Sequence, residues 1–101
     1  MRIVVLFNLK DGADPDAYEQ WAKTTDIPAV NALGSVDDFS VLKTTGLLGS
    51  DQAAPYQYIE TIDITAMDPF LEHVSTDTAQ QIAAEFQSFA DNPVFILTEQ
   101  L

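Results

Sequence analysis

The chain has 101 residues, and its formal net charge of −12 arises from 16 acidic side chains against four lysines and arginines. This charge argues against binding to nucleic acids or to anionic membrane surfaces, because both need clustered basic residues. The sequence contains no cysteine, which excludes disulfides, thiolate catalysis and Cys-ligated metal sites. Its length and its lack of a long N-terminal apolar run predict a single domain over residues 1–101 and a cytoplasmic protein.

The first half of the chain predicts a strand, an interrupted helix and a second strand. Residues 2–9 are β-branched and aromatic, which favours a strand. The Asp-Pro pair at 14–15 is typical of a helix start, and apolar residues then recur at helical spacing. Asp-Ile-Pro at 26–28 interrupts this pattern, and a short run follows that ends at Gly34. Alternation over 39–44 predicts the second strand.

The second half predicts a loop, a strand, two helices and a last strand. The loop covers 46–55 and is rich in Gly, Asp and Pro, and the strand after it covers 56–64. Residues 65–68 fit a capping box at the start of a helix. A further amphipathic helix is predicted over 78–90, where an Asp-Asn-Pro motif ends it, and 94–98 reads as the final strand.

The order β-α-β-β-α-β predicts an α+β, ferredoxin-like fold, with helices on one face of a four-stranded antiparallel sheet. The strands are apolar on both faces, which is typical of a sheet that is buried on both sides. One chain cannot cover the second face, so we expect a homodimer that packs sheet against sheet. In the first strand the two sets of alternating apolar residues are Ile3, Val5, Phe7 and Leu9 on one face, and Val4 and Leu6 on the other.

The sequence contains no P-loop, no G-x-G-x-x-G, no H-E-x-x-H and no G-x-S-x-G motif. It has one histidine, so a site with several histidines cannot form within one chain, and no close acidic cluster indicates a magnesium site. We therefore expect neither a metal nor a cofactor. Any chemistry would depend on acid/base side chains beside an aromatic pocket.

Asp26 has two compatible interpretations. It can be the N-cap of the short run that follows, with Pro28 in its first turn. It can also be a carboxylate at the mouth of a pocket, where it acts as a base or accepts a ligand N–H.

Glu60 lies in the middle of a predicted strand, on the face that it shares with Tyr58 and Ile62. An acid among apolar neighbours is costly unless its charge is compensated. The residue therefore pairs with Lys43 or Arg2, or lies at an exposed edge, or is a carboxylate whose pKa is raised inside a pocket.

His73 is the third acid/base candidate, although a lone histidine is often a surface or hydrogen-bonded core residue. Asn31 is a weaker candidate for ligand binding, because it can instead bond to local backbone. Five aromatic residues are candidates to line one cavity between helices and sheet, with plain core packing as the alternative. They are Tyr18, Trp21, Tyr58, Phe70 and Phe86.

Four stretches that together span most of the chain carry a resemblance to the REDY/HapK-like family of the dimeric α/β barrel superfamily. They are RIVVLFNLKDG at 2–12, YEQWAKTTDIPAVNAL at 18–33, TTGLLGSDQAAPYQYIE at 44–60 and AAEFQSFADNPVFILTEQL at 83–101. The resemblance implies a cofactorless homodimer that acts in the biosynthesis of prodigiosin-type pyrrole or indole pigments.

On this resemblance, the protein would bind an aromatic nitrogen heterocycle and promote its cyclisation, condensation or dehydration, with Asp26 or Glu60 as acid or base. The alternatives are a non-catalytic carrier that protects a reactive intermediate and a cofactorless monooxygenase, because the superfamily uses one fold for several reactions. Many relatives in the superfamily carry a His-x-Pro motif where this chain has Asp26-Ile27-Pro28. This difference favours a carboxylate over a histidine at that position.

Overall fold

The computed structural model describes residues 1–101, and its elements follow the order β-α-β-β-α-β. The strands are β1 (Arg2–Leu9), β2 (Val36–Lys43), β3 (Tyr58–Ile64) and β4 (Ala90–Leu97). The helices are α1 (Pro15–Trp21), α2 (Ile27–Asn31), α3 (Met67–Val74) and α4 (Asp77–Phe89), and a π-helical turn (Ala22–Asp26) joins α1 to α2. No helix has the length and apolar character that crossing a membrane requires.

The four strands form one antiparallel sheet in the order β2-β3-β1-β4. The two central strands are therefore β1 and β3, which are far apart in sequence, while β2 and β4 lie at the edges. This order and the placement of the helices define the ferredoxin-like α+β fold that the sequence predicted.

One face of the sheet is covered by the helices and holds the core. The alternating residues of β1 that face the helices are buried, as the sequence predicted. Phe7 lies at the centre of an aromatic cluster, where its ring centroid is 5.6 Å from that of Tyr18, 5.5 Å from that of Tyr58 and 5.0 Å from that of Phe86. This cluster fixes α1 and α4 against the two central strands.

The other face of the sheet, which we call the open face, has no helix over it. An apolar strip crosses it, and polar residues such as Thr61 and Asp63 lie beside this strip. The strand register aligns Leu6 with Ile59 on one side and with Val94 on the other, and it aligns Val4 with Ile96. Because directly paired residues of antiparallel strands point to the same side, these side chains form one continuous apolar surface. Ile96 is 39% exposed in the single chain.

The interruption at Asp26-Ile27-Pro28 is not a break. The chain stays helical through the π-helical turn, in which the backbone N–H of Ile27 donates to the carbonyl of Ala22. Asp26 has helical φ and ψ of −68° and −56° and makes no side-chain capping hydrogen bond, so its interpretation as an N-cap is wrong. A proline ring clashes with the carbonyl four residues before it in an α-helix, and the wider π register relieves that contact.

Several boundaries also differ from the prediction. Strand β2 begins at Val36 rather than at residue 39, and β3 begins at Tyr58 rather than at residue 56. The position before α3 is Ala66, which provides no side-chain cap, so the capping box at 65–68 is wrong. The backbone N–H of Thr65 instead donates to the carbonyl of Ser35 at 3.0 Å. Strand β4 begins immediately after α4, and its register with β1 shifts near Asn92, which has a positive φ of 44°. This bulge accommodates Pro93, which cannot donate to the sheet.

Candidate functional site

A cavity of about 350 Å³ lies between the sheet and the helices α2, α3 and α4. Of its 18 lining residues, 12 are hydrophobic, and two of the others are the buried carboxylic acids Asp26 and Glu60. We call these two residues the carboxyl pair. Mainly apolar cavities with a few converging polar groups are typical of small-molecule sites.

Glu60 reaches this cavity from the centre of the sheet. Strand β3 is an inner strand, and the register places Glu60 between Val5 of β1 and Val41 of β2 on the helix-covered face. The residue is 5% exposed, and its Oε2 atom has no hydrogen-bond partner. The interpretation of Glu60 as an exposed edge residue is therefore wrong.

The proposed ion pairs of Glu60 are also absent, because both candidate cations bind other acids. Lys43 Nζ lies 2.9 Å from Glu19 Oε2. Arg2 Nε lies 2.8 Å from Asp63 Oδ1, on the open face. Glu60 is thus buried without a positive partner.

Asp26 is held against the cavity by the π-helical turn. It is also 5% exposed, and burial followed by the charge of Glu85 raises its pKa to about 7. Burial and then the charge of Asp26 raise the pKa of Glu60 to about 8. Because each group disfavours ionisation of the other, the two protons belong to the pair. Near neutral pH the pair therefore holds both a proton donor and a proton acceptor.

Tyr18 and Trp21 do not line this cavity. The Tyr18 hydroxyl and the Trp21 Nε1 atom are both buried without a hydrogen-bond partner. Burial and then the charge of Glu60 raise the pKa of the Tyr18 phenol far above its usual range. The hydroxyl therefore stays neutral, and it is a donor available beside the pair.

Tyr58, Asn31 and His73 have structural hydrogen bonds and lie outside the lining of the cavity. The Tyr58 hydroxyl donates to Glu19 Oε2 at 2.7 Å. Asn31 joins α2 to β2, because its Nδ2 donates to the carbonyl of Phe39 at 3.0 Å and its Oδ1 accepts from the N–H of Phe39 at 2.9 Å. The Nδ1 atom of His73 lies 2.8 Å from the hydroxyl oxygen of Ser35.

The structure thus brings four of the candidate residues to one cavity, namely Asp26, Glu60, Phe70 and Phe86. The lining also contains two aromatic residues that were not among the predicted site residues, Phe39 and Phe95. The strand register would have found both, because Phe39 pairs with Ile62 and Phe95 pairs with Val5 on the helix-covered face. Phe95 is 57% exposed, since it lies on the edge strand at the border of the cavity.

A second cavity of about 360 Å³ lies beside the loop between β2 and β3. Its lining includes Pro15, Lys43 and Tyr58, but neither member of the carboxyl pair. No group of three His, Cys, Asp or Glu residues lies close enough together to hold a metal ion. The cavity with the carboxyl pair is therefore the candidate functional site.

The fold and the site define a small ferredoxin-like α+β protein with a carboxyl pair buried between helices and sheet. The chain belongs to the REDY-like HapK family, since the family model of REDY-like protein HapK matches residues 1–101. It is 30% identical to HapK from Hahella chejuensis, and the match covers 100% of this chain and 93% of that one with a TM-score of 0.76.

Two more distant solved structures share the fold. A hydroxynitrile lyase from Passiflora edulis is 16% identical, with 99% of this chain and 94% of that one covered and a TM-score of 0.78. A dimeric ferredoxin-like protein of unknown function from Thermobifida fusca is 21% identical, with 94% and 85% covered and a TM-score of 0.68. No curated protein matches the chain.

Proposed function

We propose that the protein binds an aromatic nitrogen heterocycle, a pyrrole or indole intermediate of prodigiosin-type pigment biosynthesis, in the cavity between helices and sheet. It promotes a cyclisation, condensation or dehydration of this ligand without a cofactor, and the carboxyl pair supplies the acid and the base. Membership of the HapK family supports the biosynthetic setting. The observation that carries the chemistry is the carboxyl pair, buried and without a cation among the residues that line the cavity.

The protonation of the pair suits a reaction that moves protons near neutral pH. Burial raises the pKa of Glu60 to about 8 and that of Asp26 to about 7, so the pair as a whole holds a proton near neutral pH. We assign the donor role to Glu60 and the acceptor role to Asp26. A general acid and a general base are most effective when their pKa values lie near the working pH.

A condensation of a pyrrole aldehyde with a second pyrrole shows how the pair would act. Carbon–carbon bond formation first gives a carbinol, because the proton lost from the attacking ring carbon of the second pyrrole is transferred to the aldehyde oxygen. Glu60 then protonates the carbinol hydroxyl, and the C–O bond breaks as water leaves. Asp26 takes the pyrrole N–H proton while the conjugated double bonds form, and this proton later returns to Glu60. The net change is the loss of water, with no oxidation or reduction.

We also infer that two copies of the chain pair through their open faces. In the single chain nothing covers the apolar side chains of the open face, among them Leu6, Ile59 and Ile96, and a contiguous exposed apolar patch is typical of an interaction surface. A two-fold axis would bring two such surfaces together, as the description of the Thermobifida fusca protein as dimeric also suggests.

The test uses pyrrole-2-carbaldehyde and 2,4-dimethylpyrrole, whose condensation gives a coloured dipyrrin. We expect the wild-type protein to accelerate colour formation, and Asp26→Asn and Glu60→Gln each to lower the rate at least about 100-fold. Both changes are isosteric and leave the cavity shape intact. Absorbance, mass spectrometry of the product and an oxygen electrode provide the three measurements.

Asp51→Asn and Glu72→Gln are the matched controls, because they make the same chemical changes at exposed positions outside the cavity. Full activity in both cavity variants would contradict the acid/base role. Saturable binding with an unchanged ligand would indicate the carrier instead. Stoichiometric consumption of O₂ would indicate a cofactorless monooxygenase.

A further inference from the structure

The charges around the cavity all have the same sign. Its lining contains Asp26 and Glu60 but no lysine, arginine or histidine. The chain has four lysines and arginines in total. Arg2 and Lys43 are held in ion pairs with acids that lie outside the cavity lining. An anionic ligand would therefore meet two carboxyl groups and no counter-charge.

Glu60 also presents an acceptor that the protein itself does not satisfy. Its Oε2 atom is buried and has no hydrogen-bond partner, although the side chain lines the cavity. An unsatisfied buried polar atom has a free-energy cost that a ligand donor can remove. The donor that fits a carboxylate best is a charged N–H, because charge-assisted hydrogen bonds are the stronger ones.

The rest of the lining also suits a flat cation. Aromatic rings attract a positive charge over their faces, and phenyl groups offer no hydrogen bond to an anion. The polar residues other than the carboxyl pair are uncharged and exposed, so they form the rim of the cavity. The aromatic residues of the lining are Phe39, Phe70, Phe86 and Phe95.

We propose that the cavity selects its heterocycle as a cation, a planar ring system with an amidinium- or iminium-type nitrogen whose N–H donates to the carboxyl pair. Binding of this cation releases a proton from the pair, because the positive charge of the ligand replaces that proton. The inference depends on the proposed function and adds to it the charge state of the ligand. In a condensation, the cation formed when water leaves would be stabilised in the same way.

The groups that face the pair from the surrounding elements do not supply the missing charge. Tyr18 from α1 and Tyr58 from β3 are phenols whose pKa burial raises further, so both stay neutral. Glu85 from α4 is another acid, and its charge raises the pKa of Asp26. His73 of α3 is hydrogen-bonded to Ser35 and lies outside the lining. Proton release should therefore be largest below pH 7 and decline above pH 8, following the values of about 7 and about 8 for the pair.

The experiment compares three planar probes by isothermal titration calorimetry at about pH 6.5, below the pKa values of the pair. The probes are 2-aminobenzimidazole, which is mostly cationic there, neutral indole, and the anion indole-2-carboxylate. We expect the cation to bind at least about 10-fold more tightly than indole, and the anion to bind more weakly than indole. Titrations in two buffers of different ionisation enthalpy should report about one proton released per bound cation.

Glu60→Gln should lower the preference for the cation to less than about 3-fold and abolish the proton release. Glu72→Gln, which makes the same chemical change at an exposed site on α3, should keep both the preference for the cation and the proton release. A preference for the cation that persists in both Glu60→Gln and Asp26→Asn would reflect the net charge of −12 alone and would overturn the inference. Equal binding of the cation and indole would overturn it while leaving heterocycle binding intact. If no probe binds, the proposed function fails with it.

Discussion

Glu60 and Asp63 lie three residues apart on β3, yet they are in opposite electrostatic environments. Asp63 points to the open face, where it accepts hydrogen bonds from Arg2 Nε at 2.8 Å and Nη2 at 3.1 Å, and its pKa is lowered. Glu60 points to the helix-covered face, has no cation beside it, and its pKa is raised to about 8. The comparison shows that the two faces of one strand separate an acid that stabilises the fold from an acid that is available for chemistry.

The largest expected effect comes from placing a charge on the open face. Ile96→Asp should raise the dissociation constant of the proposed dimer at least about 100-fold, because each copy loses a buried apolar side chain and the two-fold axis doubles the loss. The single chain should tolerate the change, since Ile96 is already 39% exposed in it. Sedimentation analysis across a concentration series measures the constant.

Leu48→Asp is the matched control for this change, because Leu48 is fully exposed in the loop between β2 and β3. It should leave the dimer unchanged. If Ile96→Asp also left the dimer intact, the open face would not be the interface between the two copies.

A smaller effect, on the pH dependence of stability, is expected from Glu60→Gln, which removes an ionisable group from the helix-covered face. Because the folded-state pKa of Glu60 lies above its usual 4.5, the contribution of Glu60 to stability is fully present below pH 4.5 and is lost as pH rises to about 8. Each unit of raised pKa corresponds to about 1.4 kcal/mol, so Glu60→Gln should be more stable than wild type by a few kcal/mol at alkaline pH. Thermal unfolding at acid and alkaline pH measures the difference.

Asp26 should preserve part of the pH dependence in that variant, because burial raises its own pKa to about 7. Glu72→Gln is the matched control, because it removes the same kind of side chain from an exposed position on α3. Parallel curves for wild type and Glu60→Gln would show that Glu60 is ionised or well solvated in the folded protein.

The smallest effect is expected from Asp63→Asn, which breaks the exposed ion pair with Arg2. The sign of its pH dependence is opposite to that of Glu60. The pKa of Asp63 is lowered, so its contribution is present above the usual value of 3.8 and is lost as pH falls through the lowered one. We expect a slight drop in Tm near neutral pH that shrinks further as salt is added, because exposed pairs are screened. A drop larger than the effect of Glu60→Gln would contradict the comparison.

Much of the fold follows from local patterns in the sequence. The bounds of β1 match the prediction at both ends, because apolar alternation, β-branched residues and a terminal Lys-Asp-Gly all agree there. The same alternation put Glu60 on one face with Tyr58 and Ile62, although it did not decide whether that face is covered by the helices. These features depend on residues close in sequence, so they can be predicted without knowing which elements pack against the strand.

The parts that were missed depend on groups that are distant in sequence. Lys43 binds Glu19 rather than Glu60, and only the packing of α1 against the sheet brings those two side chains together. The backbone N–H of Thr65 donates to the carbonyl of Ser35, and the position before α3 is Ala66, which has no capping side chain. The lining position of Phe95 likewise requires the register of two strands that lie at opposite ends of the chain.

Trp21 illustrates the same limit for the choice of assay. Its position on α1 made it a candidate to line the cavity, but its ring packs on Phe89 at a centroid distance of 5.6 Å and lies outside the cavity lining. Calorimetry is therefore a more direct measurement of ligand binding than Trp21 fluorescence. The fluorescence would respond indirectly, for example to a shift of Tyr18, whose ring centroid lies 6.0 Å from that of Trp21.

The π-helical turn over Ala22–Asp26 has a consequence for the length of the chain. A π turn accommodates one residue more than an α-helix of the same rise, so it can be regarded as an insertion that the helix has absorbed. Removing one residue, for example Thr24, would allow a continuous α-helix, in which only the hydrogen bond that Pro28 cannot donate would be missing. The flanking helices would keep their buried faces, so Tyr18 would stay against the sheet, while the helix would lose the wider turn that holds Asp26 against the cavity. Relatives that lack this residue should therefore present a different side chain to the cavity where this chain presents Asp26.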